Sequence, residues 1–212
     1  FKFLINNSIK NFRYNENGFN LVYNEIKKHG FPATFMLLGN LFKPQENMPF
    51  IEWGYHTFNH AALNLASDEV VERETNNIYN AKSITAPMWR VEDVNNPERI
   101  FKILKKNGFK NTVYHGKTDG IKTLYEKAVR NPENRFGIRC VYVSNYFEGN
   151  YNSEKINGIK KDILKNLGRE GVYLLTTHDF THRNNRNLIE ILNFVKNLEM
   201  HNKIKIVNLN GV

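Results

Sequence analysis

The chain has 212 residues, 41% hydrophobic and 13% aromatic, enough material for one large domain with a substantial buried core. Its formal net charge is +9, which suits an anionic partner, but the lysines fall in scattered pairs (Lys27-Lys28, Lys105-Lys106, Lys160-Lys161) with no dense basic run, which argues against nucleic-acid binding. No apolar run is long enough to cross a bilayer, and the single cysteine, Cys140, excludes an internal disulfide.

Cys140 sits in an apolar run and is expected to be a buried, inert thiol. The chain shows no signal peptide but opens on Phe1 rather than Met, as a trimmed or processed product would, so the missing targeting segment says little about location.

Strand and helix patterns alternate along nearly the whole length. Residues 1–5 form a short apolar strand, and 19–29 have helical periodicity ending at Gly30, a suitable C-terminal cap. Strands follow at 33–38 and 50–55. Ser67 then caps a helix with Asp68 and Glu69 in its first turn, where they complement the helix dipole, and the pattern runs on to Ala81. A very short strand at 84–86 ends at Pro87. Pro97 opens a helix that Gly108 closes. The remaining order is a strand at 112–115, a helix at 121–129, a strand at 138–144, a helix at 154–167, a strand at 172–177, a helix at 187–198 and a last strand at 204–209. Residues 42–49 and 145–152 read as loops. There is no internal repeat and no Pro/Gly linker, so residues 1–212 read as a single domain.

Such alternation predicts a parallel sheet, and about seven or eight units predict closure into a (β/α) barrel. Catalytic groups in barrels gather at the C-terminal ends of the strands. Here Asn6-Asn7 follow the first strand, His56 and His60 the third, Pro87-Met88-Trp89 the fourth, and His178-Asp179 the strand at 172–177. His56 and His60 stand at i and i+4, a spacing that in a helical turn puts both imidazoles on one side, able to meet on one ion.

In this order the motifs resemble the polysaccharide deacetylase family, the NodB-homology domain of carbohydrate esterases. The resemblance rests on Phe31-Pro32-Ala33-Thr34-Phe35-Met36-Leu37-Leu38-Gly39, on Glu52 to His60 with its His-Thr-x-x-His core, on Thr85-Ala86-Pro87-Met88-Trp89, on the helix end Ile103 to Phe109, and on Leu174-Leu175-Thr176-Thr177-His178-Asp179. It implies a distorted (β/α) barrel and metal-assisted deacetylation of N- or O-acetylated carbohydrate. His56 and His60 would hold a divalent metal (zinc, or cobalt or nickel), which acidifies water and polarises the acetyl carbonyl. His178 would protonate the leaving amine as general acid. Thr57, Pro87, Met88 and Trp89 would contact the sugar. The family also points to an extracytoplasmic or cell-envelope location, and nothing in the sequence opposes a cytoplasmic one.

Three departures bear on activity. Where the family has two aspartates, one a general base and one a third metal ligand, this chain has Asn6 and Asn7. An amide cannot take a proton from water near neutral pH, and a neutral ligand at Asn7 weakens metal binding. The groove arginine of the family falls at Thr85. The aspartate that orients the catalytic histidine is not recognisable around 141–144. The readings are therefore an altered deacetylase using Asp179 or Glu52 as base, an inactive deacetylase-like domain that binds glycan or a protein partner, and a small-amide hydrolase on the same fold.

Overall fold

In a computed structural model of the protein, residues 16–41, 43–93, 95–114 and 129–212 are described. The expected strand at 1–5, the expected helix at 121–129 up to residue 128, and Asn6 and Asn7 lie outside these residues. The described residues hold seven strands: β1 (Ala33–Leu37), β2 (Ile51–Tyr55), β3 (Ser83–Thr85), β4 (Asn111–Tyr114), β5 (Glu133–Arg135), β6 (Ile138–Phe147) and β7 (Leu174–Thr177). Five α-helices accompany them among the described residues: α1 (Glu16–His29), α2 (Asp68–Glu74), α3 (Glu98–Lys106), α4 (Ser153–Lys165) and α5 (Arg186–Met200). Gly30 and Gly108 end α1 and α3 in left-handed backbone (φ 62° and 85°), which glycine adopts without steric cost.

The sheet runs β1-β2-β3-β4-β6, and all its neighbouring pairs are parallel. β6 is long enough to serve two partners on its far side. Its first half takes the short antiparallel β5, and residues from Val143 to Phe147 pair in parallel with β7 across an irregularity at Val143/Asn145. The result is mixed α/β with a curled half-barrel sheet. One core, built on Tyr55, Ile84, Phe101, Leu104, Tyr114 and Cys140, backs the sheet with α2 and α3. A second, built on Phe19, Leu37, Phe147, Ile156, Leu188 and Ile191, packs it against α1, α4 and α5. Cys140 is fully buried and its thiol is pushed up to about 12, mainly by burial. No helix among the described residues is long and apolar enough to cross a membrane.

The expected closed barrel is corrected to an open arc: among the described residues no ladder joins β1 to β7. The predicted last strand shows part of the reason. Residues 204–208 form no ladder, and one amide within them and two just beyond bond to side chains instead. Ile206 N donates to Glu199, Leu209 N to Thr34 Oγ1 (2.9 Å), and Asn210 N to Glu52 Oε2 (3.0 Å). Glu52 also accepts from the hydroxyls of Thr34 and Ser83. Arg139 completes this buried polar floor through Asn111 and the carbonyls of Leu209 and Val212. Glu52, a sequence candidate for the base, is thus engaged at the N-terminal end of β2, away from His56.

Two further boundaries differ from expectation. The helix predicted to reach Ala81 stops at Glu74, because the Asn77 side chain bonds both the amide and the carbonyl of Ala81 (2.8 Å each) and closes a turn there. β5, not expected, is a three-residue edge strand whose Glu133 and Asn134 are exposed, so it carries little hydrophobic signal.

Candidate functional site

Because the pairings from β1 to β4, β6 and β7 are parallel, the residues leaving these strands emerge at one end of the sheet. His56 follows β2, Pro87–Trp89 follow β3, Glu148 follows β6 and His178 follows β7. His56, His60, Met88, Trp89, His178, Asp179 and Phe180 all line one cavity of about 1260 Å³.

The two histidines of the first motif meet, with ring centroids 4.9 Å apart and planes at 70°. They do so in a loop rather than a helical turn, which corrects the sequence expectation. His56 N continues the ladder to Leu37 O (2.7 Å), and the next residues are tied to neighbouring segments by Gly39 N to Thr57 O, Asn40 N to Phe58 O and Phe58 N to Glu74 O. Thr57 and His60 both lie in left-handed backbone (φ 62° and 61°). Met88 and Trp89, on the facing loop, do so too (φ 54° and 55°). Three of the seven such non-glycine residues described, His60, Met88 and Trp89, thus line this cavity, a clustering typical of functional loops.

Nδ1 of His56 lies 2.8 Å from the Thr85 carbonyl. A carbonyl only accepts, so Nδ1 carries the hydrogen and Nε2 keeps its lone pair. Burial, and next the adjacent His60, push His56 down to about 3, so the ring is neutral over the physiological range. Burial and then His178 also lower His60. A pair of neutral imidazoles fits two positions around zinc or a similar ion. Among the described residues no group of three His, Cys, Asp or Glu could hold a metal.

His178 has the opposite character. Its Nδ1 donates to Glu148 Oε1 at 2.7 Å, and this bond is the main reason its pKa is raised. Half of its side chain is exposed, while that of Glu148 is 13% exposed. Glu148 was not found in the sequence, because it lies in the stretch 145–152 that reads as a loop; its position depends on β6 running on to Phe147. Gly149 lets this end of β6 approach the 178–182 turn: a Cβ there would stand 2.6 Å from His182 Cα and from Thr181 O. His182 is buried, with Nε2 2.8 Å from Thr177 Oγ1.

The remaining sequence candidates are placed as follows. Met88 is 62% exposed on the rim and Trp89 is partly buried beside it, while Pro87 is buried in the turn. Phe180, not singled out in the sequence, stands 5.1 Å from the His178 ring with 42% exposure and adds a second apolar wall. Thr57 is fully buried and does not line the cavity. Thr85 is buried, and its hydroxyl has no hydrogen-bond partner among the described residues. Asp179 lines the cavity, and burial raises its pKa.

No family model matches the chain, and no curated protein matches it. Among solved structures, it is similar to a Bordetella bronchiseptica protein assigned, provisionally, as a polysaccharide deacetylase involved in O-antigen biosynthesis. The two share 11% identity over 84% of this chain and 74% of that one, with a TM-score of 0.47. A likeness of that size carries nothing about activity or substrate.

Proposed function

We propose that the protein is a deacetylase-type hydrolase of N- or O-acetylated carbohydrate. The observation that carries this reading is the opposed character of the histidines on one cavity: His56 and His60, pushed toward the neutral form, and His178, whose proton affinity its hydrogen bond to Glu148 raises. Sites that run acid and base chemistry together push titratable groups apart in this way. A divalent ion held by His56 and His60, with Asn7 the candidate third ligand, would polarise the acetyl carbonyl and acidify water.

The chain's own groups supply the rest. His178 holds a proton that it delivers to the departing amine or alkoxide, while Glu148 fixes Nδ1 and leaves Nε2 to face the reactant. Asp179 is the candidate base in place of Asn6, since burial moves its proton affinity in the direction a base requires. Trp89, Met88 and Phe180 offer apolar surfaces to the nonpolar face of a sugar ring.

Acetate release from acetylated amino-sugar oligomers, with zinc, cobalt or nickel added, tests the reading. His178→Ala should lower release about 100-fold or more. Asn6 and Asn7 favour a second reading, glycan binding without turnover. A silent parent with activity gained in the Asn6→Asp/Asn7→Asp double variant would mean a deacetylase scaffold silenced at its first motif, and silence in both would leave glycan binding.

A further inference from the structure

The geometry points to Glu74 as the positioning residue of the His56–His60 loop, acting on both imidazoles through Asn59. Glu74 is the last residue of α2 and is 2% exposed. Its carboxylate accepts from both donors of one residue: Asn59 N to Oε2 at 2.7 Å and Asn59 Nδ2 to Oε1 at 3.0 Å. Its own carbonyl accepts from Phe58 N at 2.8 Å. Asn59 Oδ1 in turn accepts from Asn40 Nδ2 at 2.9 Å, which ties the loop to the segment leaving β1.

The two residues between Thr57 and His60 are therefore fixed from α2 by three hydrogen bonds, between two residues held in left-handed backbone. No Lys or Arg pairs with Glu74 among the described salt bridges. A buried carboxylate without a cation is costly unless its oxygens are hydrogen-bonded. Here both oxygens are used on Asn59, the residue directly before His60. Capping α2 or filling the core needs no charge at this place. Holding the peptide that aims His60 toward His56 does need two strong acceptors side by side.

The inference rests on the functional reading above in that the aimed rings serve an ion, and its test separates the two. We would measure the ring Cε1–Hε1 NMR signals of the metal-free protein and the visible absorption and affinity of added cobalt(II), in Glu74→Gln, Glu74→Ala and Thr75→Ala. Thr75 is the control: it is buried and adjacent, but bonds Val71 and Asn107 rather than the loop. In Glu74→Ala the ring signals of His56 and His60 should move while those of His29 and His201 stay, and cobalt affinity should fall about 10- to 100-fold. Glu74→Gln keeps one acceptor but sets its amide against Asn59 Nδ2, so it should fall between; it also decides the matter if the alanine variant does not fold.

Thr75→Ala should change neither readout at a comparable loss of Tm. Unmoved ring signals in both Glu74 variants would overturn the inference, as would equal changes in Thr75→Ala. Should the parent bind no cobalt, the metal part of the functional reading fails, and the ring signals alone decide the role of Glu74.

Discussion

Glu148 accepts a 2.7 Å hydrogen bond from Nδ1 of His178, joining the ends of β6 and β7 across thirty residues of sequence. This bond fixes the imidazole tautomer and raises its proton affinity, while burial opposes the rise. In Glu148→Gln the His178 pKa should fall back toward about 6.5, read by NMR titration of the ring. A midpoint that stays where it is in the parent would show that Glu148 does not control the charge.

The same pair sets a pH dependence of stability. A histidine whose pKa is raised in the fold contributes fully below its unfolded value of about 6.5, and the contribution fades as pH rises through the folded value. The stability gap between the parent and Glu148→Gln should therefore be largest below about pH 6.5, until acid protonates Glu148 itself, and should narrow above it. Denaturant titrations at several pH values measure the gap. Half exposure of His178 means that solvent and salt screen it.

His56 behaves in the opposite sense. With its pKa pushed down to about 3, it stays neutral in the fold while the unfolded chain takes up a proton. Its contribution is present above the unfolded value of about 6.5 and is lost as pH falls toward the folded one. The metal-free protein should therefore lose stability on acidification, and less so in His56→Gln. The His56 ring signal should stay flat from about pH 8 to about pH 5, and a midpoint inside that window would contradict the burial argument.

Glu52 is expected to matter for folding and not for turnover. Glu52→Ala leaves the Thr34 and Ser83 hydroxyls and the Asn210 amide without their acceptor. A buried donor stranded in this way, as at Ser83, costs about 1–3 kcal/mol, and the part-buried Thr34 and the Asn210 amide cost less because water reaches them, so a loss of about 2–5 kcal/mol should appear in chemical denaturation. Acetate release per folded molecule should be unchanged; a selective loss of turnover would restore Glu52 as a candidate base.

Gly149→Ala should act on the acid from a distance. The added methyl meets backbone at 2.6 Å, which cannot swing aside as a flexible side chain could, so overpacking should cost about 1–3 kcal/mol. The end of β6 would have to move away from the 178–182 turn, taking Glu148 with it. The measurable consequence is a His178 pKa lowered in the same direction as in Glu148→Gln.

Local order was largely legible in the sequence. Period-two and helical patterns, together with Gly30 and Gly108, marked most elements, and parallel strands place His56, Met88, Trp89 and His178 at one end as a matter of topology. The spacing of His56 and His60 foretold that the rings could meet, but not the left-handed loop in which they do. What only the tertiary structure decided is how distant segments pair. Glu148 finds His178 because β6 outruns β4 and takes β7 as a second partner. Residues 204–208 form no ladder, and the amides of Ile206 within them and of Leu209 and Asn210 just beyond are taken by Glu199, Thr34 and Glu52. Periodicity reports which face of a segment is buried. Strand partners and buried acceptors are chosen by contacts far apart in the chain, and no local pattern encodes them.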